Sequence, residues 1–176
     1  TANNKTIPKV LPSINYYSGL KNKNSIDYSN SINFYNIVRE ENTNIHSEQQ
    51  QKINYKISAS KDFTKYNSKL KLQSELFNQF YSTKNKKIDN KNVSNNYYKI
   101  FPIIGLSIET PIRHKNSNTV ITPHSNLIIS SGQSNSNKIS NEDSTNNDFS
   151  IENMYQLNRY SGNDKMDNSK RITYGL

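Results

Sequence analysis

The sequence predicts an all-β chain of antiparallel hairpins, about six to seven strands from the wall of a transmembrane β-barrel. Three observations predict it. Apolar side chains recur with a period of two, connections are alternately short and long, and Tyr and Ile are plentiful in an otherwise polar chain. Only 31% of the 176 residues are apolar, against roughly 45–50% in ordinary globular domains. Low apolar content alone would point to disorder. The 12 Tyr and 6 Phe, and their ordered placement, oppose that reading.

Each element follows from its own alternation. Lys9–Tyr17 sets Val10, Pro12, Ile14 and Tyr16 on one face. Ser25–Val38 aligns Ile26, Tyr28, Ile32 and Phe34. Gln51–Ser60 alternates Ile53, Tyr55, Ile57 and Ala59 with Asn54, Lys56 and Ser58. Ser68–Tyr81 alternates Leu70, Leu72, Leu76 and Phe80 with Lys69, Lys71, Gln73 and Glu75. Tyr97–Thr110 sets Tyr98, Ile100, Ile104, Leu106 and Ile108 against Lys99, Gly105, Ser107 and Glu109. Thr119–Ser130 places Ile121, Leu127 and Ile129 opposite Thr122, His124 and Asn126, and Arg171–Leu176 opens a seventh strand. Helix is the rival, but Ala is scarce and Ile, Tyr, Thr and Asn are common. Lys69 and Lys71 share a strand face yet would lie about 200° apart on a helix.

The connections supply the second signal. Short turns are expected near 18–24, 61–67 and 111–117, and long loops near 39–50, 83–96 and 132–169. An outer-membrane barrel has this rhythm, with short periplasmic turns and long outer loops. A lipid-facing apolar row opposite a wet polar row also explains the low mean hydropathy. Lys56, Lys69, Lys71 and Lys99 all fall on the polar parity, although any half-buried sheet would place lysines there.

Other classes find little support. The formal charge is +9, but the lysines are scattered and form no basic stripe, so nucleic acid is not an expected partner. There is no Cys, hence no disulfide and no thiolate metal site. His46, His114 and His124 lack metal-ligand spacing. Residues 141–152 place oxygen ligands partly like a calcium loop, but Asn146 stands where Gly is needed, so no metal is expected. No nucleophile elbow or phosphate loop appears, so neither catalysis nor a cofactor is expected. No apolar run of about 18 residues exists to form a membrane helix. Thr1 is an unusual start, and the segment reads as part of a longer protein.

The closing third carries a more particular pattern. "TVITPHSNLIIS", then "NEDS", then "NRYSGNDKMDNSKRITYGL" resembles the lipopolysaccharide-assembly outer-membrane family LptD, also called OstA or Imp. The positions that carry the resemblance are Pro123, Asn141, Glu142, Asp143, Ser144, Arg159, Tyr160, Ser161, Gly162, Asp164, Lys165, Arg171, Thr173, Tyr174 and Gly175. The specific match covers about Thr119–Leu176; "IPKVLPSINYYSG" and "KIFPIIGLSIETPI" agree with the Pro-containing strand starts of the same barrel. Asn163 replaces a usually larger residue, and Lys165 a common Arg.

The resemblance implies a large outer-membrane barrel that receives lipopolysaccharide from a periplasmic bridge and releases it into the outer leaflet of a Gram-negative outer membrane. The implied partners are lipopolysaccharide, outer-membrane lipids, a plug lipoprotein and that bridge. The whole of 1–176 then reads as partial barrel, with the family's periplasmic jelly-roll domain outside it. Two rival readings are a porin-like barrel and an Asn-rich, basic, disordered or adhesive segment.

Two groups of residues become candidates. Asn141, Glu142, Asp143, Ser144, Arg159, Gly162 and Asp164, with Pro123, Tyr174 and Gly175, would form a structural loop of the exit chamber. An Arg159–Asp164 ion pair would hold it closed around a tight turn at Gly162. Lys56, Lys69, Lys71 and Lys99 would form a basic wall of the lumen.

Overall fold

Wherever Ile, Leu and Tyr alternate with Lys, Asn and Ser, the chain is extended. The computed structural model describes residues 7–41, 47–115, 119–132, 139, 141–144, 150–151 and 153–176. Its strands are β1 (Lys9–Tyr17), β2 (Lys21–Lys23), β3 (Ile26–Val38), β4 (Gln49–Lys65), β5 (Ser68–Ile88), β6 (Lys91–Glu109), β7 (Ile112–Arg113), β8 (Val120–Ile121), β9 (His124–Ser130) and β10 (Lys170–Gly175). Among the described residues they form one antiparallel sheet ordered β1–β3–β4–β5–β6–β9–β10, with β2 paired to β3 and a separate β7–β8 ladder. The sheet is open, with β1 and β10 at its edges.

Three hairpins turn through two residues, each with both central residues at positive φ: Asn24–Ser25 (52°, 59°), Tyr66–Asn67 (51°, 60°) and Asp89–Asn90 (49°, 62°). This backbone matches the right-handed twist of the flanking strands. It also corrects three expected connections. In 18–24 the chain bulges at Gly19 (φ 72°), resumes as β2 and turns only at Asn24–Ser25. The 61–67 turn contracts to Tyr66–Asn67 because β4 and β5 pair as far as Lys65 opposite Ser68.

The expected long loop at 83–96 is instead a continuation of the β5–β6 hairpin, paired to Ile88 opposite Lys91 with an irregularity between Thr83 and Lys86. Asn and Lys disguise this stretch as a loop because it lacks apolar alternation. Residues 39–48 join β3 to β4, and residues 131–169 join β9 to β10. The segment near 111–117 joins the β7–β8 ladder, its residues 116–118 falling outside the described set.

Register divides the sheet into two faces. On one, Ile53 lies opposite Phe80 and Phe80 opposite Tyr98; at the other end, Phe63 lies opposite Leu70 and Leu70 opposite Ile108. The apolar windows 53–63, 70–80 and 98–108 therefore align across three strands. Each is about as long as the ~9–11 residues that a tilted strand needs to cross a hydrocarbon layer. Ile104 continues the band to Ile129, and Leu127 carries it to Ile172. Lys61, opposite Leu72, is the lysine in these windows that shares the apolar row. It lies near the band's end, where a charge costs only about 0–1 kcal/mol. In β1 a bulge between Val10 and Ser13 separates Val10 from the face of Ile14, so the expected shared face is broken.

The opposite face is polar, with an apolar island. Phe77 is opposite Phe101, and Ile103 and Ile128 are their neighbours on β6 and β9. These four side chains are buried with Met166, and Leu157 packs against the group. The principal core thus lies between the polar face and a part of the chain that leaves β9 and returns as β10.

Candidate functional site

That returning part, here the described residues 141–144 and 153–169, forms a strap across the polar face. Its tight point is Gly162, at φ 75°, where an added Cβ would lie 2.2 Å from the Asp143 carbonyl oxygen. Only glycine accommodates both the left-handed backbone and this approach. The turn brings 162–165 against 141–144 to make a clasp.

Within the clasp, the Glu142 and Asp143 amides donate to Asp164 Oδ2 at 2.7 and 3.1 Å. The Asn163 and Asp164 amides donate to Asp143 Oδ1 at 3.0 and 2.9 Å. Ser144 Oγ accepts from the amides of Asp164 and Lys165, both at 3.0 Å. Asn141 closes a local turn by bonding both the amide and the carbonyl of Ser144. The "NEDS" residues therefore satisfy backbone groups that a buried irregular segment would otherwise strand.

The clasp is tied to β3, β4 and β5 by charge. Lys52, 1% exposed, lies between Asp143, at 3.1 Å, and Asp164. Arg39 at the end of β3 pairs with Glu142 at 2.5 Å. Tyr81 donates its hydroxyl to Asp164 Oδ1 at 3.3 Å, and Gln79 donates to the Asn163 carbonyl. A buried ammonium is tolerable only with such partners. Burial opposes ionisation of Asp143, but the neighbouring Lys52 charge and hydrogen bonds outweigh it and hold the carboxyl below its ordinary range. Asp164 is more deeply buried, and that burial pushes its carboxyl up.

A second knot ties the strap to β9 and β10. Arg159 forks onto Asp167, with Nε and Nη2 donating at 2.7 and 3.1 Å, and Arg171 bonds the same carboxylate. Burial again disfavours the charge of Asp167, and the two guanidiniums overcome it, leaving the carboxyl below its usual range. Ser130 Oγ bonds the carbonyls of Asp167 and Ser169, and its amide donates to the Ser169 carbonyl. Asn126 donates to the Tyr155 carbonyl at 3.0 Å, and Arg171 to the Leu157 carbonyl at 3.2 Å.

The expected Arg159–Asp164 pair is therefore corrected. Asp164 turns toward the Lys52 side, where two amides, Tyr81 and Lys52 already occupy its oxygens. Arg159 emerges on the opposite side, where Asp167 lies between two guanidiniums. Pro123 stands between β8 and β9, its carbonyl accepting the Thr110 amide at 3.0 Å. Gly175 lies opposite His124, and a Cβ there would meet the Tyr155 hydroxyl at 2.5 Å. Tyr174 belongs to the apolar row, 83% exposed, and takes no part in the clasp.

The four expected lysines share the polar face but differ in environment. Lys56 bonds Glu75 at 3.2 Å. Lys69 and Lys71 are exposed, in register with Glu109 and Asp62. Lys99 is covered, 1% exposed with its ammonium 5.5 Å from the Phe101 ring centre, and so does not extend the open surface. The residues that organise the site, Lys52, Arg39, Asp167 and Met166, were not singled out from sequence. Lys52 has the parity of Lys56 two turns of alternation away, and Phe77, Phe101, Ile103 and Ile128 are apolar residues on the wrong parity; both signals were present.

An open antiparallel sheet with one apolar band, one polar face and its own strap on that face defines a segment of barrel wall. The family model LptD, LPS transport system D, matches residues 1–176, and the chain belongs to that family. The match reaches well beyond the closing third that carried the resemblance in sequence. This is a transport family and not an enzyme family. No curated protein matches the chain.

Proposed function

We propose that this chain is wall and interior strap of an outer-membrane barrel that passes lipopolysaccharide into the outer leaflet of a Gram-negative envelope. The observation that carries the reading is the two-faced sheet: an apolar band of membrane-crossing length behind a polar face that holds a strap from the same chain. Acyl chains of surrounding lipid suit the first face, and water suits the second. The edges at β1 and β10 would pair with further strands of the parent barrel, since unpaired edges are not stable within hydrocarbon.

On this reading the barrel is a passive conduit without a cofactor, served by a plug lipoprotein and a periplasmic bridge. The strap narrows the interior beside β9 and β10. Lys56, Lys69 and Lys71 offer weak, distributed attraction to the phosphorylated saccharide, with Lys99 excluded by the strap. A porin-like channel would share the hairpins; membership of the LPS-transport family favours the lipopolysaccharide reading.

Photo-crosslinking residues at Gln73 and Ser107, on the polar face, test the proposal in cells exporting lipopolysaccharide. Adducts with lipopolysaccharide at both sites, lost when export is arrested, are expected. Their absence during active export would contradict it.

A further inference from the structure

The strap is held differently along its two sides. Toward β6, β9 and β10 its attachments are chiefly apolar surface and backbone carbonyls, with one charged tie: Met166 and Leu157 in the island, whose Phe77 comes from β5, Ser130 on Asp167 and Ser169, Asn126 on Tyr155, and Arg171 of β10 on Asp167. Gly105 deepens that seat, for a Cβ there would strike Leu157 at 2.5 Å. Lifting this side would expose apolar area and strand backbone groups, and water repays neither in full.

Toward β3, β4 and β5 the clasp is held by side-chain charges and hydrogen bonds. They are Arg39 with Glu142, Lys52 with Asp143 and Asp164, Tyr81 with Asp164, and Gln79 with the Asn163 carbonyl. Glu142 and Asp143 already have side-chain exposures of 18% and 30%. When such pairs separate into water both partners regain hydration, so the net cost is a fraction of the direct attraction. The clasp's internal amide bonds need not break, because they join strap to strap. A cavity of about 380 Å³ already separates the strap from β4 and β5, lined by Lys56, Glu75, Phe77, Tyr155, Tyr160 and Asn163.

We propose that the strap is a flap hinged on β9 and β10, whose clasp side releases from β3–β5 as a unit and widens the interior passage. The role in passage rests on the conduit reading above; the hinge itself does not. Lys52 is the positioning residue, because one ammonium holds two of the clasp's carboxylates, Asp143 and Asp164.

The test uses the full parent barrel in membranes. Asn54→Cys, under the clasp, and Thr173→Cys, under the anchored side, report access of a water-soluble maleimide; both native residues are buried. Lys52→Met should speed labelling at residue 54 at least about tenfold and leave residue 173 within about twofold. Equal acceleration at both sites, or none at either, overturns the hinge. This readout needs no cargo and is separate from adduct formation at Gln73.

A short thiol crosslinker joining Gln79→Cys to Asn163→Cys should then cut lipopolysaccharide delivery about tenfold, while one joining Thr173→Cys to Met154→Cys should leave it near the uncrosslinked level. Undiminished delivery with 79 and 163 joined overturns the claim that release widens the passage.

Discussion

The ammonium of Lys52 on β4 lies 3.1 Å from the carboxylate of Asp143, 91 residues along the chain, and is itself almost wholly buried. One charge near the start of β4 thereby fixes the position of a distant irregular segment. Removing it leaves two carboxylates facing each other. Lys52→Met should weaken strap docking by somewhat less than the ~3–5 kcal/mol typical of a buried pair broken on one side, because Asp143 can rehydrate. Limited proteolysis should cut within 141–144 and 153–164 readily in Lys52→Met and slowly in Lys52→Arg.

Gly162→Ala adds a Cβ where the Asp143 carbonyl already stands and forces an L side chain into left-handed backbone. The backbone conformation alone costs about 1–2 kcal/mol, and the collision adds to it. The same proteolysis assay should show Gly162→Ala at least as cleavable as Lys52→Met. Gly19→Ala, at similar φ but with open space around it, should stay protected in the strap.

Met166→Ala removes the centre of the apolar island and should cost about 2–5 kcal/mol. Thermal melting of the folded barrel on unheated gels would record it. Met166→Leu, close in volume, should recover most of the loss.

The Asp167 knot sets an acid limit. Its carboxyl is held below the ordinary aspartate value of about 3.9, net of burial, by Arg159 and Arg171. A depressed folded value means that the stabilisation is fully present above the unfolded value and is lost as pH falls through the folded one. Strap protection attributable to this knot should therefore be flat from about pH 8 to 5 and decline below about 4. Asp167→Asn should start less protected and lose that acid-dependent decline.

Much of this architecture can be read from residue order, and the failures have identifiable causes. Alternation placed the centres of β3, β4, β5 and β6 because one face of each is apolar. It failed at 83–96, where the hairpin continues past the apolar band and both faces are polar, so no period remains to be seen. In β1 the bulge before Ser13 shifts which residues share a face, something the sequence gives no means of counting. The motif around "NEDS" and "RYSGND" located the strap, but pairing Arg159 with Asp164 assumed that residues close in sequence meet. The Gly162 turn sends them to opposite sides, and Lys52 and Asp167 become their partners. Phe77, Phe101, Ile103 and Ile128 look like lapses in alternation until register aligns them into the island that seats Met166.

The two faces of the sheet are most directly separated by spin labels placed at neighbouring positions in the full barrel in membranes. Labels at Leu72 and Ile104 should be accessible to oxygen and shielded from a water-soluble nickel relaxant, and labels at Gln73 and Ser107 should show the reverse. Strong nickel access at residues 72 and 104, with oxygen-dominated relaxation at 73 and 107, would contradict the account.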